Sequence, residues 1–439
     1  MMRERYVFQG MFIVTFPYTV FEGGYWAIVA MIVIAYVCCY TGKILVDCLY
    51  EDVDEQVTEC PAGCAKSTEN PAPENKSTAE NFSSRTVPCR KRVRNSYVEI
   101  AETVWGKMIG GRVVFIAQLI ELLMTCILYV LLCGELMVGI FPGTSLTLTA
   151  WIVISAAPLL PCAFLRSLRH VAWLSFWCTV AHMFINGIIL IYCFTRAAEW
   201  QWDAVQIKID IWTFPISLGI VIFSYTSQIF LPSLEGNLVD RTKFAAMMHW
   251  THLAAAIFKA AFSYIGFVTF GTETKEVITN NLPNQTMKVI VNVFLVAKAL
   301  LSYPLPYFAT ADLLESKFFR GRPDTTFPPC FDVAGTLKIW ALLLRLSLVV
   351  VTMLLAIVVP HFAILMGLIG SFTGNMLSLV WPAYFHLAIK GRRMGYPKMV
   401  FDLCIILLGL TCSGLGIYYS FHALVRAFEG FEPKPFQAH

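Results

Sequence analysis

Five charged side chains fall inside apolar runs: Glu121 (in AQLIELLMTCILY), Lys259, Lys298 (in FLVAKALLSYPLP), Arg345 and Asp402. A charge at mid-bilayer costs at least ~2.5 kcal/mol on insertion scales, so such a residue is a candidate for handling ions or substrate. Glu121 and Lys298 sit nearest the middle of their runs. A carboxyl held away from water at Glu121 suits taking a substrate amine or exchanging a proton. Lys298 suits a charge partner for it, or an anion contact. A static Glu–Lys pair that only fixes the bundle fits these residues equally well. Arg345 and Asp402 read as charges that snorkel to an interface, and Lys259 admits the same reading. His182, His249, His252, His361 and His386 lie in or beside apolar runs, where a lone histidine is more often packed than a proton carrier.

A second group is polar rather than charged. Ser224, Tyr225, Thr226, Ser227 and Gln228 interrupt an apolar run that continues to Pro232 and Glu235-Gly236. The first apolar run, QGMFIVTFPYTVFEGGY, carries Gly10, Pro17 and then Glu22-Gly-Gly. Paired interruptions of this kind mark the discontinuous helices of inverted-repeat transporters. Unwinding a helix in mid-membrane frees backbone groups that can hold a carboxylate or an ion. Backbone around Gly10 and Met11 is therefore a candidate to bind a carboxylate or an ion, with Tyr225 as an aromatic wall and Thr226, Ser227 and Gln228 lining the site. The competing reading of 224–228 is a Ser/Thr packing face between helices.

Enzyme chemistry is not indicated. HExxH, GxSxG and GxxxxGK[ST] are all missing, so the chain reads as a non-enzyme that draws on an ion gradient. No metal or other cofactor is expected: Cys60 and Cys64 lack the two further ligands of a zinc site. Most of the 14 cysteines lie in apolar runs and read as small hydrophobes, not as a disulfide framework. Gly367 and Gly370 signal close packing only.

The elements that must position these residues are membrane helices. Hydrophobic residues make up 57% of the 439-residue chain and charged residues 14%, against about 25% in soluble domains. Mean hydropathy is +0.65. The net charge of +4 shows no basic stripe for nucleic acid. A bilayer takes about 20 apolar residues per helix. Apolar runs lie near 7–22, 24–49, 112–141, 149–165, 171–195, 213–234, 247–270, 286–316, 338–360, 361–389 and 399–426, which predicts eleven spans. The first reads as an anchor and not a cleaved signal peptide.

Lys and Arg set the direction. With the N-terminus in the cytosol, that side receives Arg3, Arg5, Lys43, the cluster Arg90, Lys91, Arg92 and Arg94, and later Lys390, Arg392, Arg393 and Lys398. The opposite side keeps Arg196, Lys208, Lys275, Lys288, Arg426 and Lys434. The C-terminus is then luminal. Residues 51–95 read as a disordered cytosolic loop, a tolerated insertion before a partner-binding one. Its sequons at Asn75 and Asn81 should be silent, while Asn284 on the luminal side is a glycosylation candidate. The chain divides into 1–50 (spans 1 and 2), the loop 51–95, 96–196 (spans 3–5), 197–390 (spans 6–10) and 391–439 (span 11 and the luminal C-terminus).

Several strings carry a resemblance: QGMF…PY…GGY (9–25), VCCYTGKILVDCLYE (37–51), GGRVVFIAQLIELLMTCILYV (110–130), LLPCAFLRSL (159–168), FPISLGIVIFSYTSQIFLPSLEGN (214–237), ETKEVITNNLP (273–283), VNVFLVAKALLSYPLPYF (291–308) and VPHFAILMGLIGSFTG (359–374). They resemble the amino acid/auxin permease family, and within it the vesicular carriers of inhibitory amino acids. The likeness runs from about Gln9 to the last span. It implies an all-α polytopic membrane protein with a LeuT-like 5+5 inverted repeat plus one extra helix, acting as a monomer in synaptic vesicle membrane. It implies loading of GABA and glycine in exchange for protons, with chloride dependence associated. Matching motifs carry over Gly10, Glu121, the Tyr225–Gln228 break and Lys298. Two departures stand out. The chain begins MMRERYVFQG where the family has a longer first half of span 1, so the first helix reads as truncated; an incomplete gene model, a shortened isoform and a divergent paralogue all fit, and the inner gate is damaged only if the chain is complete. Thr15 stands where the family's GMFxxGLP motif has its second Gly. Two rival readings share the motifs: a proton-coupled neutral amino acid symporter of the plasma or lysosomal membrane, and a non-transporting paralogue or sensor. A channel is disfavoured because no filter-like loop is visible.

Overall fold

A chain surrounded by hydrocarbon must satisfy its own backbone hydrogen bonds, and a helix does so within one segment. The computed structural model describes residues 11–55, 87–164, 169–319, 328, 330, 337–359 and 361–429, and it is helical almost throughout. A 3-10 turn, Met11–Thr15, leads into α1 (Phe16–Asp47). A two-stranded antiparallel hairpin follows, β1 (Tyr50–Glu55) with β2 (Val87–Arg92). Then come α2 (Tyr97–Ile140), α3 (Leu148–Ala156), α4 (Arg169–Thr195), α5 (Phe214–Tyr225), α6 (Leu231–Gly236) and α7 (Phe244–Phe270). The chain closes with α8 (Gln285–Ser302), α9 (Pro304–Phe318), α10 (Ile339–Val358), α11 (Phe362–Ile369), α12 (Trp381–Lys390) and α13 (Tyr396–Phe428).

Among the described residues, seven helical stretches are long and apolar enough to cross a membrane: Phe12–Asp47, Tyr97–Ile140, Arg241–Glu273, Gln285–Phe318, Ile339–Val358, Phe362–Arg393 and Tyr396–Phe428. Leu148–Phe164, Val180–Thr195 and Phe214–Tyr225 are shorter apolar helices. Large apolar side chains such as Phe184, Trp250, Leu407 and Tyr418 are exposed on the outer faces, a surface suited to lipid and not to water. The chain is a polytopic helical membrane protein.

Local chemistry decides where the helices bend. Gly24 (φ 56°, ψ −148°) divides α1 in two, at the boundary read between the runs 7–22 and 24–49. A side chain there would be strained by its backbone angle and would also collide with the Gln206 carbonyl oxygen. Proline sits at the first or second position of α1, α5, α6, α9, α12 and α13, where its missing N–H costs nothing. Pro17 therefore starts a helix and does not break one. Span 6 is truly interrupted, because α5 ends at Tyr225 and α6 begins only at Leu231. Between α11 and α12 the chain winds through two π-helical turns, Gly370–Gly374 and Met376–Val380, a geometry that gathers at functional sites. The helices α5 and α11 touch backbone to backbone. A Cβ at Gly370 would fall on the Gly219 carbonyl oxygen, and one at Gly219 on that of Gly367.

The hairpin corrects the expectation of disorder for 51–95. Both ends of that loop are ordered, with Tyr50 opposite Arg92 and Glu51 opposite Lys91. Composition suggested no structure because the hairpin is tied to other parts of the chain by polar contacts, those of Tyr50 and Arg92 with Glu235 and of Arg94 with Cys48 O and Thr103. Helix α2 then starts on a capping arrangement: Ser96 Oγ accepts from Glu99 N at 3.2 Å, and Glu99 Oε2 accepts from Asn95 N at 2.7 Å. Residues 56–86 and Met1–Gly10 lie outside the described residues, and with them the rest of the disorder reading and the truncation of the first helix.

Candidate functional site

A helix that stops in mid-membrane leaves carbonyls without donors and presents the negative end of its dipole. At the end of α5 those needs are met by Lys259, which reaches across from α7. Its Nζ donates to Ser224 O at 2.8 Å and to Ser224 Oγ at 3.0 Å. The ammonium also lies 3.6 Å from the centre of the Tyr225 ring and 5.3 Å from that of Phe16. Only 3% of Lys259 is exposed. Snorkelling is therefore the wrong reading for this residue. The helix end offers it a better partner than the distant interface does.

Tyr225 is sandwiched. Its ring stacks on His252, with centroids 6.3 Å apart and 19° between planes, and His252 is itself buried and bonded through Nδ1 to Met248 O at 3.0 Å. The Tyr225 hydroxyl is buried and has no hydrogen-bond partner among the described residues, and the same holds for the Thr15 hydroxyl on the first 3-10 turn. Buried polar groups are normally satisfied, so an orphaned hydroxyl at the broken helix needs an explanation.

The rest of the break is tied to its neighbours. Gln228 Oε1 accepts from Ser227 N at 2.9 Å, and its Nε2 reaches Cys38 O and Thr41 Oγ1 on α1, each at 3.4 Å. Gln228 thus acts as a strut across to span 2. Thr226 Oγ1 donates to Ile222 O at 3.1 Å, and Ser224 Oγ to Val221 O at 2.6 Å.

Glu121 comes to the same region from α2. It is 3% exposed, and its carboxylate accepts from the Thr373 hydroxyl in the first π turn. The adjacent Gly374 keeps this space open. A Cβ there would lie 3.0 Å from Thr226 Oγ1 and 3.8 Å from Glu121 Oε1. Glu121, Thr373 and Thr226 therefore converge, although 105 and more residues separate each from Glu121 or Thr373 along the chain. Lys298, on α8, is also buried. Among the described residues no ion pair joins it to Glu121, whose side-chain partner is Thr373.

The remaining candidates fall elsewhere. Met11 opens the first 3-10 turn, while Gly10 lies outside the described residues. Asn284 is exposed, and its Oδ1 caps α8 by accepting from Thr286 N at 3.0 Å. Arg345 does not snorkel either. It is buried, with Nη2 and Nε at 2.8 and 2.9 Å from Glu315 Oε1 on α9. Asp402 is fully buried, accepts from Tyr40 Oη at 2.7 Å and pairs with His386 Nδ1 at 2.7 Å. Both readings failed for one reason: spacing along a helix gives depth, but not which side faces protein. Thr373 and Gly374 were not singled out, and Lys259 entered only as one of the charges within apolar runs. Of these, only the charge on Lys259 carried a signal that sequence could have used.

Comparison with known proteins gives the following. Residues 83–422 match the family model described as transmembrane amino acid transporter protein. Over 423 residues the chain is 47% identical to the vesicular inhibitory amino acid transporter of Xenopus tropicalis, covering 96% of this chain and 75% of the relative. It is 46% identical over 423 residues to the Homo sapiens protein of that name, covering 96% and 74%. Identity to the vesicular GABA transporter of Caenorhabditis elegans is 41% over 419 residues, covering 95% and 78%.

Proposed function

The chain belongs to the transmembrane amino acid transporter family, and from that premise we propose that it loads GABA and glycine into synaptic vesicles in exchange for protons. The observation that carries the site is the convergence of Glu121, Thr373, Thr226, Tyr225 and Lys259 on the interrupted span 6. One end of this constellation is cationic and the other is a carboxyl. A zwitterionic amino acid has the matching charges. Its carboxylate would lie toward the Lys259 ammonium and the free hydroxyls of Tyr225 and Thr15. Its amine would lie toward Glu121, where a proton can be taken up in its place.

Coupling follows from competition. When Glu121 binds the amine it must be ionised, and when it carries a proton it binds the amine poorly. One buried carboxyl that serves both ligands in turn exchanges them across the membrane. Thr373 keeps a hydrogen bond to Glu121 in either state, since a hydroxyl can donate or accept. Lys298 remains a candidate anion contact, and chloride is a candidate ion there. The LeuT-like 5+5 arrangement with one extra helix accounts for the paired interruptions, since α1 and α6 both begin on a proline after a non-α stretch. In this reading the hairpin faces the cytosol, the C-terminus is luminal, Asn284 is open to glycosylation, and one chain forms the transport unit.

Proteoliposomes test it directly. Labelled GABA should accumulate when the interior is acid, and unlabelled glycine should compete. Absence of accumulation would overturn the reading. Accumulation only with acid outside would replace exchange by symport.

A further inference from the structure

Helix α6 is six residues long and hangs from the unwound stretch 226–230. So short a helix has few internal hydrogen bonds to hold it, and its position is set by what it touches. On one side it is anchored by Leu231, which shares an apolar cluster with Cys39, Leu45, Cys48 and Leu49 of span 2 and its extension. On the other side the anchor is a buried charge. Glu235 is 1% exposed, and its carboxylate takes Arg92 Nη1 at 2.9 Å, the Tyr50 hydroxyl, and Arg241 Nε at 3.6 Å.

Arg92 grips α6 twice, because its Nη2 also donates to Pro232 O at 2.9 Å. Arg92 and Tyr50 face each other across the hairpin, as register partners in β2 and β1. The hairpin base is in turn fixed to its surroundings by Arg94. That side chain donates to Cys48 O at 2.9 Å and to Thr103 Oγ1 at 2.9 Å, and pairs with Glu51. One rigid block therefore runs from the end of α1 through the hairpin to the start of α2. The short half of span 6 is docked on it through the Glu235 carboxylate and the Pro232 carbonyl.

We propose that Tyr50, Arg92 and Glu235 form a latch that holds α6 closed over the hairpin side of the site and must release in each transport cycle. A buried ion pair contributes little net stability compared with apolar packing, so its best-attested use is to choose between two arrangements. An apolar seam would hold α6 permanently. An ionic joint partly open to solvent can exchange its partners for water and come back. Release swings α6 away from Cys39 and Cys48 and opens a path from the hairpin side to Tyr225 and Glu121. These three are positioning residues, since none reaches the site itself. The inference rests on the transport reading for its direction, though the latch itself can be measured without substrate.

The test uses the full chain in proteoliposomes with a membrane-impermeant maleimide applied from the hairpin side, following Cys39 and Cys48 individually by peptide mass. Arg92→Gln should raise their labelling rate about tenfold, equivalent to 1.4 kcal/mol in the open population. Tyr50→Phe should move it the same way by less, and Arg92→Lys should restore most of the protection. In uptake, Arg92→Gln should lower KM on the hairpin side and lower the maximal rate together, because the open state binds but returns slowly. A purely structural role would lower the rate with KM unchanged. If Arg92→Gln does not fold, Tyr50→Phe removes one hydroxyl, leaves every charge in place, and carries the test. Wild-type labelling rates in folded Tyr50→Phe and Arg92→Gln would overturn the latch. Wild-type protein that transports no amino acid would overturn the transport reading instead, leaving the labelling result valid.

Discussion

Replacing Lys259 by Met removes the ammonium from the end of α5 and keeps most of the side-chain volume. Two charge-assisted hydrogen bonds to Ser224 are lost, each worth about 1.5–3 kcal/mol. The contact with the Tyr225 ring is lost as well, worth about 2 kcal/mol when desolvated. Against this, an ammonium no longer has to be taken out of water, which returns several kcal/mol. The two sides nearly cancel, so Lys259→Met should fold with a melting temperature close to that of the wild type. Position is not compensated in the same way. Ser224 O is left buried without a donor, at a cost of about 1–3 kcal/mol, one residue before Tyr225. The helix end can relieve that only by moving. If the relaxed position must be undone for substrate to be held, transport falls by about 5- to 150-fold, since 1.4 kcal/mol is tenfold. Counterflow of labelled GABA in proteoliposomes reads the rate, and a thermal melt of the purified chain reads the fold. Counterflow within twofold of wild type in a folded Lys259→Met protein would refute the reasoning. It would mean that the ammonium is packing only.

Other outcomes follow from the same contacts. Glu121→Gln keeps a hydrogen bond with Thr373 but cannot carry a proton, so gradient-driven accumulation should disappear in a folded protein; full uptake would remove Glu121 from the coupling. Gly219→Ala sets a methyl against the Gly367 carbonyl oxygen, and overpacking of that kind costs about 1–3 kcal/mol, visible as a lowered melting temperature. Glu315→Leu takes away the carboxylate that receives both Nε and Nη2 of buried Arg345, and should destabilise the chain by about 3 kcal/mol, while Arg345→Met with Glu315→Leu together should recover much of it.

What the sequence determined alone is the membrane character, the placing of the apolar runs and the interruption of span 6. These follow from quantities that are local. Hydrophobic length fixes a span, glycine and proline fix its breaks, and the polar run 224–228 stands at the break itself. Gly24 and Pro232 could be read because their effect is on their own backbone. The likeness of whole strings to a known family gave the transporter class. Tertiary structure decided which charges meet. Glu121 finds Thr373 and not Lys298, Lys259 turns inward to Ser224, Arg345 pairs with Glu315, and Asp402 with His386 and Tyr40. None of these pairs is local, and the direction of a side chain around its helix depends on neighbours that arrive from elsewhere in the chain. The hairpin was hidden for the same reason. Its strands are polar in sequence, and the groups that hold them, such as the buried carboxylate of Glu235, lie as much as 143 residues away from Arg92.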